Sequence, residues 1–175
     1  MSSTEFTGAL DLSNADTKGF PALEDGTYDF ELFSWEMAAT KGGNNPDGTP
    51  KKMPEGTPML KVQLKCIEPA NENRRAFDQF VIPNDDYDAE KRAKMLGALV
   101  RFFVAMGMEE SDVKNKKFDM FKSLEDLVGE PVKATLIKKR KFNTTPEQDE
   151  WDNEVRGYKR ISEGSSTAGP GGKLL

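Results

Sequence analysis

Met59-Leu60-Lys61-Val62-Gln63-Leu64-Lys65-Cys66-Ile67 alternates apolar and polar residues almost without a break. Period-two alternation puts Leu60, Val62, Leu64 and Cys66 on one face of a strand and Lys61, Gln63 and Lys65 on the other. Cys66, in line with three aliphatic residues, reads as a buried core thiol. The polar turn from Glu68 to Asn73 leads into a second run, Arg74 to Ile82, that Pro83 stops. Upstream, Tyr28 to Met37 is a third candidate strand. It starts with Tyr28, Phe30 and Leu32 on one face, then shows Phe33, Trp35 and Met37 on the other. A strand that turns apolar on its second face is either covered there or uses those rings for binding. Between them, Ala38 to Pro58 is rich in glycine, proline, asparagine and lysine, including Lys41. A loop of that length is expected to be functional or disordered.

Beyond Pro83 the period changes. Leu96, Leu99, Phe103 and Met106 recur at helical spacing, widened by Met95 and Phe102, so a helix is predicted from Asp88 to Met106. Met95, Leu96, Leu99 and Phe103 are assigned to the core, and Gly107 to the C-cap. A short second helix is expected over Ser123 to Val128, with Ser123 as N-cap and Gly129-Glu130-Pro131 as its stop. A fourth strand follows from Val132 to Phe142 and a fifth from Glu154 to Ser162, joined by an acidic connection, Asn143 to Asn153.

Three strands, a helix and two strands is the layout of an OB-fold. The expected fold is therefore mainly β, a five-stranded Greek-key barrel with a helix between strands three and four. In that fold the face of strands two and three and the loops joining strands one–two and four–five bind oligonucleotides. Residues 1–19 are expected to form a flexible arm, 20–163 the OB-fold-like domain and 164–175 a glycine- and serine-rich disordered tail.

Composition narrows the chemistry. There is no histidine and one cysteine in 175 residues, which removes the commonest general base and the usual Cys/His zinc sites. Serine triads and Cys–His pairs fall with them. Asn84 to Asp88 is the densest acidic cluster, but an acidic run before a helical pattern reads as an N-cap. Lys41-Gly42-Gly43-Asn44-Asn45 lacks the spacing of a phosphate loop. No enzyme activity, cofactor or metal is expected. The N-terminus lacks a signal-peptide pattern and no apolar stretch is long enough to span a bilayer. A cytoplasmic protein without membrane contact is expected.

The charge distribution is uneven. The formal net charge is −5, yet Lys133, Lys138, Lys139, Arg140 and Lys141 stand together without a carboxylate among them. An edge strand kept soluble by lysines would look the same. Cations that track phosphates beside rings that accept bases make a single-stranded nucleic-acid groove. The candidate contacts are Trp35, Lys41, Lys61, Lys65, Arg75, Phe77, Lys138, Lys139, Arg140, Lys141, Phe142, Trp151, Tyr158 and Arg160. Tyr158, alternating with Arg156 and Arg160, is expected to keep its hydroxyl in water. Cations on both faces near the end of strand four suggest a hairpin arm. The competing reading is a non-catalytic β-barrel that binds other proteins, as a phage structural component or an inhibitor of a host enzyme. The acids from Glu147 to Glu154 favour it.

Gly26-Thr27-Tyr28-Asp29-Phe30, Gly56-Thr57-Pro58-Met59-Leu60-Lys61-Val62, Arg74 to Phe80 and Leu127 to Ala134 resemble the single-stranded DNA-binding proteins of tailed bacteriophages. The resemblance covers about residues 20–162. It implies an OB-fold that binds single-stranded DNA without catalysis, in phage replication or recombination, in the host cytoplasm. It also implies partners such as a recombinase, nuclease or polymerase. Many such proteins end in an acidic tail with a terminal aromatic. This chain ends Gly172-Lys173-Leu174-Leu175, so recruitment through that kind of tail is not expected. Homo-oligomerisation is compatible with the sequence, which does not fix it.

Overall fold

A computed structural model describes residues 11, 13, 21–51, 53–141 and 151–161. The expected tail, most of the expected N-terminal arm, Phe142 and residues 143–150 lie outside the described residues. Five antiparallel strands form one sheet: β1 (Gly26–Ala39), β2 (Pro58–Cys66), β3 (Arg75–Val81), β4 (Pro131–Arg140) and β5 (Trp151–Lys159). Their spatial order is β3-β2-β1-β4-β5. Three helices lie between β3 and β4: α1 (Ala89–Ala105), α2 (Glu110–Val113) and α3 (Met120–Leu127). The mainly β class and the helical insertion match the sequence reading; closure of a barrel does not. The sheet is open, and β3 and β5 are its edges, with no ladder joining them among the described residues.

A β-bulge decides how β1 is used. Leu32 pairs with Leu64, but Ser34 pairs with Gln63, so Phe33 is the extra residue. One extra residue exchanges the two faces of a strand. Phe30 and Leu32 face the core before the bulge, and Trp35 and Met37 pack against it afterwards. The expected switch to a second apolar face is therefore corrected: Trp35 and Met37 continue the first face, and Phe33 alone is turned outward. The expected long loop is also more ordered than its composition suggests. Backbone bonds Thr40 N–H to Thr57 O (2.9 Å), Lys51 N–H to Gly43 O (2.9 Å) and Asn45 N–H to Thr49 O (2.7 Å) extend the β1–β2 hairpin.

α1 fills the slot between the two edge strands. Asp88 caps it by accepting the Lys91 N–H. Gly107, at φ +108°, ends it: its N–H bonds Val104 O and the Met108 N–H bonds Phe103 O, a Schellman motif. Phe102 and Phe103 are fully buried. The Phe102 ring lies 5.2 Å from Phe80 of β3 and 5.1 Å from Tyr158 of β5, so one helical residue ties both edges. Burying a phenylalanine contributes about 1.5–3 kcal/mol. The N-terminal half of α1 runs off the core: Met95 and Leu96 are only half-buried, which corrects their assignment as core residues. The N-cap of α3 is Asp119, which accepts the Lys122 N–H, not Ser123. Ser123 instead donates its hydroxyl to Asp119 O at 2.8 Å. The Cys66 thiol is buried in the core, and burial pushes it above its ordinary range.

Candidate nucleic-acid interface

The β1–β4 ladder stops at Gly26–Leu136, whereas β4 and β5 stay paired as far as Arg140–Trp151. The residues beyond Leu136 therefore form the two-stranded arm anticipated from the two-sided charge. A strap of chain before β1 holds it. Asp25 Oδ1 accepts the Lys138 N–H at 2.6 Å, and Glu24 pairs with Lys138 Nζ at 3.0 Å. Asn153 fixes both backbone groups of Leu23 at 2.8 Å. β5 begins at Trp151, so Trp151 is a strand residue and not part of a loop.

An open groove of about 1120 Å³ runs between this arm and the sheet. From the arm, Lys139, Arg140 and Lys141 line it; from β2 and β3, Lys61, Gln63, Phe77 and Gln79. Phe77 is 63 % exposed, the most open of the large apolar side chains among the described residues and a ready stacking surface. The groove is not simply basic. Glu36, Asp78, Asp152 and Glu154 line it too, matching its four cations in number. Lys61 has Glu36 at 4.0 Å, and Lys139 pairs with Glu154 at 2.9 Å. The hydrogen bond from Lys139 holds the Glu154 carboxyl below the usual range. These two lysines already have intramolecular counterions, which a polyanion would displace.

The remaining sequence candidates are spread around the groove. Lys65 and Arg75, cross-strand partners on β2 and β3, stand beside it on the outer face, both near the Phe33 ring: Lys65 Nζ lies 5.8 Å and the Arg75 guanidinium 3.8 Å from the ring centroid. Trp35 lines the groove, but its ring is stacked on Phe121 of α3 at 5.6 Å with the planes 10° apart. Lys138, on β4, is held by the strap, with Nζ 5.7 Å from the exposed Trp151 ring. Lys41 sits exposed on the β1–β2 hairpin extension, and Arg160 lies exposed just beyond the far end of β5; neither lines the groove. Phe142 lies outside the described residues.

Tyr158 is the clearest correction. A register shift in β5 leaves Arg156 as the extra residue between Gly157 and Val155, so Tyr158 no longer shares a face with it in simple alternation. Tyr158 turns inward against Phe80 and Phe102. Its hydroxyl donates to Asp78 Oδ2 at 2.7 Å rather than meeting water. Burial, with the Asp78 charge beside it, pushes the phenol well above its ordinary range.

Phe33 and Asp78 were not among the sequence's candidate contacts. Period-two alternation did put Phe33 on the second face of β1; the bulge, which leaves no mark in that pattern, is what returns Trp35 and Met37 to the first. Asp78 did carry a signal: it is a carboxylate on the same face as Ala76 and Phe80, flanked by apolar strand residues. Among the described residues, no cluster of three or more metal-ligating side chains occurs, and no helix is long and apolar enough to cross a membrane. No protein-family model matches the chain, and no curated protein matches it either.

Proposed function

We propose that this protein binds single-stranded DNA without sequence preference, in phage DNA replication or recombination, and that its open sheet is an unclosed relative of the OB-fold in which α1 fills the gap between β3 and β5. The observation that carries the reading is the groove, where Lys61, Lys139, Arg140 and Lys141 face an exposed Phe77. Phosphates would follow the cations and bases would stack on the ring, each stack worth about 1–3 kcal/mol. The mixed charge fits a weakly biased electrostatic site: displacing Glu36 and Glu154 from their lysines offsets part of the gain from phosphate contact. No step of this reading needs a catalytic group.

A protein-binding module is the second reading, and the carboxylates in the groove are what favour it. Titration of labelled oligo-dT, with duplex DNA as competitor, separates the two. The expected outcome is preference for the single strand, with log affinity falling against log salt by about 0.7 per phosphate neutralised. Absence of binding at low salt would sink the nucleic-acid reading; equal affinity for duplex would remove its strand preference.

A further inference from the structure

Phe33, the extra residue of the β1 bulge, lies on the outer face of the sheet, beside the groove but not part of its lining. Bulges commonly re-aim a side chain near functional sites. Phe33 is 42 % exposed, with the Arg75 guanidinium 3.8 Å and Lys65 Nζ 5.8 Å from its ring centroid. Nη1 of Arg75 is buried with no hydrogen-bond partner among the described residues. Lys65 is paired with Glu31 at 3.2 Å. Arg75 and Phe77 are two residues apart on the same face of β3, a spacing of roughly 6.6 Å.

We propose that Phe33, Arg75 and Lys65 form a second nucleotide station, taken by a single strand as it leaves the groove past Phe77. This rests on the groove reading above and extends it by one base and one phosphate. In the unliganded protein Arg75 is a placeholder on the Phe33 ring. When a strand arrives, the base takes the ring and the guanidinium swings to the adjoining phosphate. The swing breaks no hydrogen bond at Nη1, because that atom has none among the described residues, and it gains a charge-assisted one. Lys65 shares its charge between Glu31 and the same phosphate. A purely structural stack of Arg75 on Phe33 would account for the contact but would leave DNA binding unchanged when it is removed.

The test titrates the parent, Phe33→Ala, Phe33→Tyr and Arg75→Gln with labelled oligo-dT long enough to pass beyond the groove, at several salt concentrations. Each variant is also melted thermally. Phe33→Ala should weaken binding by roughly 5- to 150-fold with the salt slope unchanged, because stacking releases no counterion. Phe33→Tyr should bind close to the parent. Arg75→Gln should reduce the slope by about 0.7, the share of one phosphate. If Phe33→Ala melts early, the Arg75→Gln slope decides alone. A parent that binds with salt dependence while Phe33→Ala and Arg75→Gln match it overturns the second station and leaves the groove reading standing. A parent that binds no oligo-dT overturns both.

Discussion

Asp78 is a carboxylate on the inner face of an edge strand, opposite the buried Val62. An inward charge at a sheet edge discourages a further strand from pairing there, and Tyr158 satisfies it from the other edge. Burial raises the Asp78 carboxyl above its ordinary range, although the Tyr158 hydrogen bond works the other way. A carboxyl raised in the folded state supports folding fully when protonated, below its unfolded value of 3.8. That support is lost as the pH rises through the folded value. At neutral pH Asp78 is thus a burden. Asp78→Asn keeps an oxygen to accept from Tyr158, so it should raise the melting temperature at neutral pH and give no gain near about pH 3. Tyr158→Phe strips the buried carboxylate of its donor and should cost about 1–3 kcal/mol, measured by urea denaturation. An unchanged urea midpoint would mean that the two edges are not held by this contact. The inward side of Asp78 could be read from its face, but its partner could not: in the sequence Tyr158 reads as exposed between two arginines. A shift of one residue in β5, invisible in composition, turns it inward.

At the scale of elements, the strands and α1 were legible because their periods are long and clean. All five strands and the main helix lie within a few residues of their expected bounds. Faces were less legible than elements. The bulge at Phe33 exchanges the faces of β1 halfway along, so alternation read straight through puts Trp35 and Met37 on the wrong side. α1 shows a complementary limit: its apolar stripe starts at Met95 and Leu96, but only the residues nearer its C-terminal end meet the sheet edges. Its end was readable, since only glycine adopts φ +108° without strain. Gly107→Ala should therefore destabilise by about 1–2 kcal/mol. Gly97→Ala, inside the same helix with only the flexible Arg101 side chain 3.4 Å from the new methyl group, should stabilise by up to about 1 kcal/mol. Chemical denaturation of the two variants side by side checks the pair. A Gly107→Ala protein as stable as the parent would contradict the Schellman account of the helix end.

For the whole molecule, the order β3-β2-β1-β4-β5 brings the end of β4 opposite the middle of β2 and β3 across one groove. The sequence showed the cations but not which carboxylates pair with them. Glu36 and Glu154 stand on strands neighbouring those of Lys61 and Lys139, and only the pairing register brings each carboxylate to its lysine. Candidate residues chosen for type alone therefore divide. Lys61, Phe77, Lys139, Arg140 and Lys141 converge on the groove, while Lys41, Lys138 and Arg160 do not line it. The arm and the sheet are proposed to hold a single strand between them through phosphate contacts. The measurement that tests this most directly is the salt dependence of oligo-dT binding for the parent and for Lys139→Ala/Arg140→Ala/Lys141→Ala. These three side chains are exposed, so the fold should persist. Weaker binding is expected, with a slope smaller by about 0.7 for each phosphate no longer neutralised, up to three. A triple variant that binds oligo-dT as tightly as the parent at every salt concentration would contradict it.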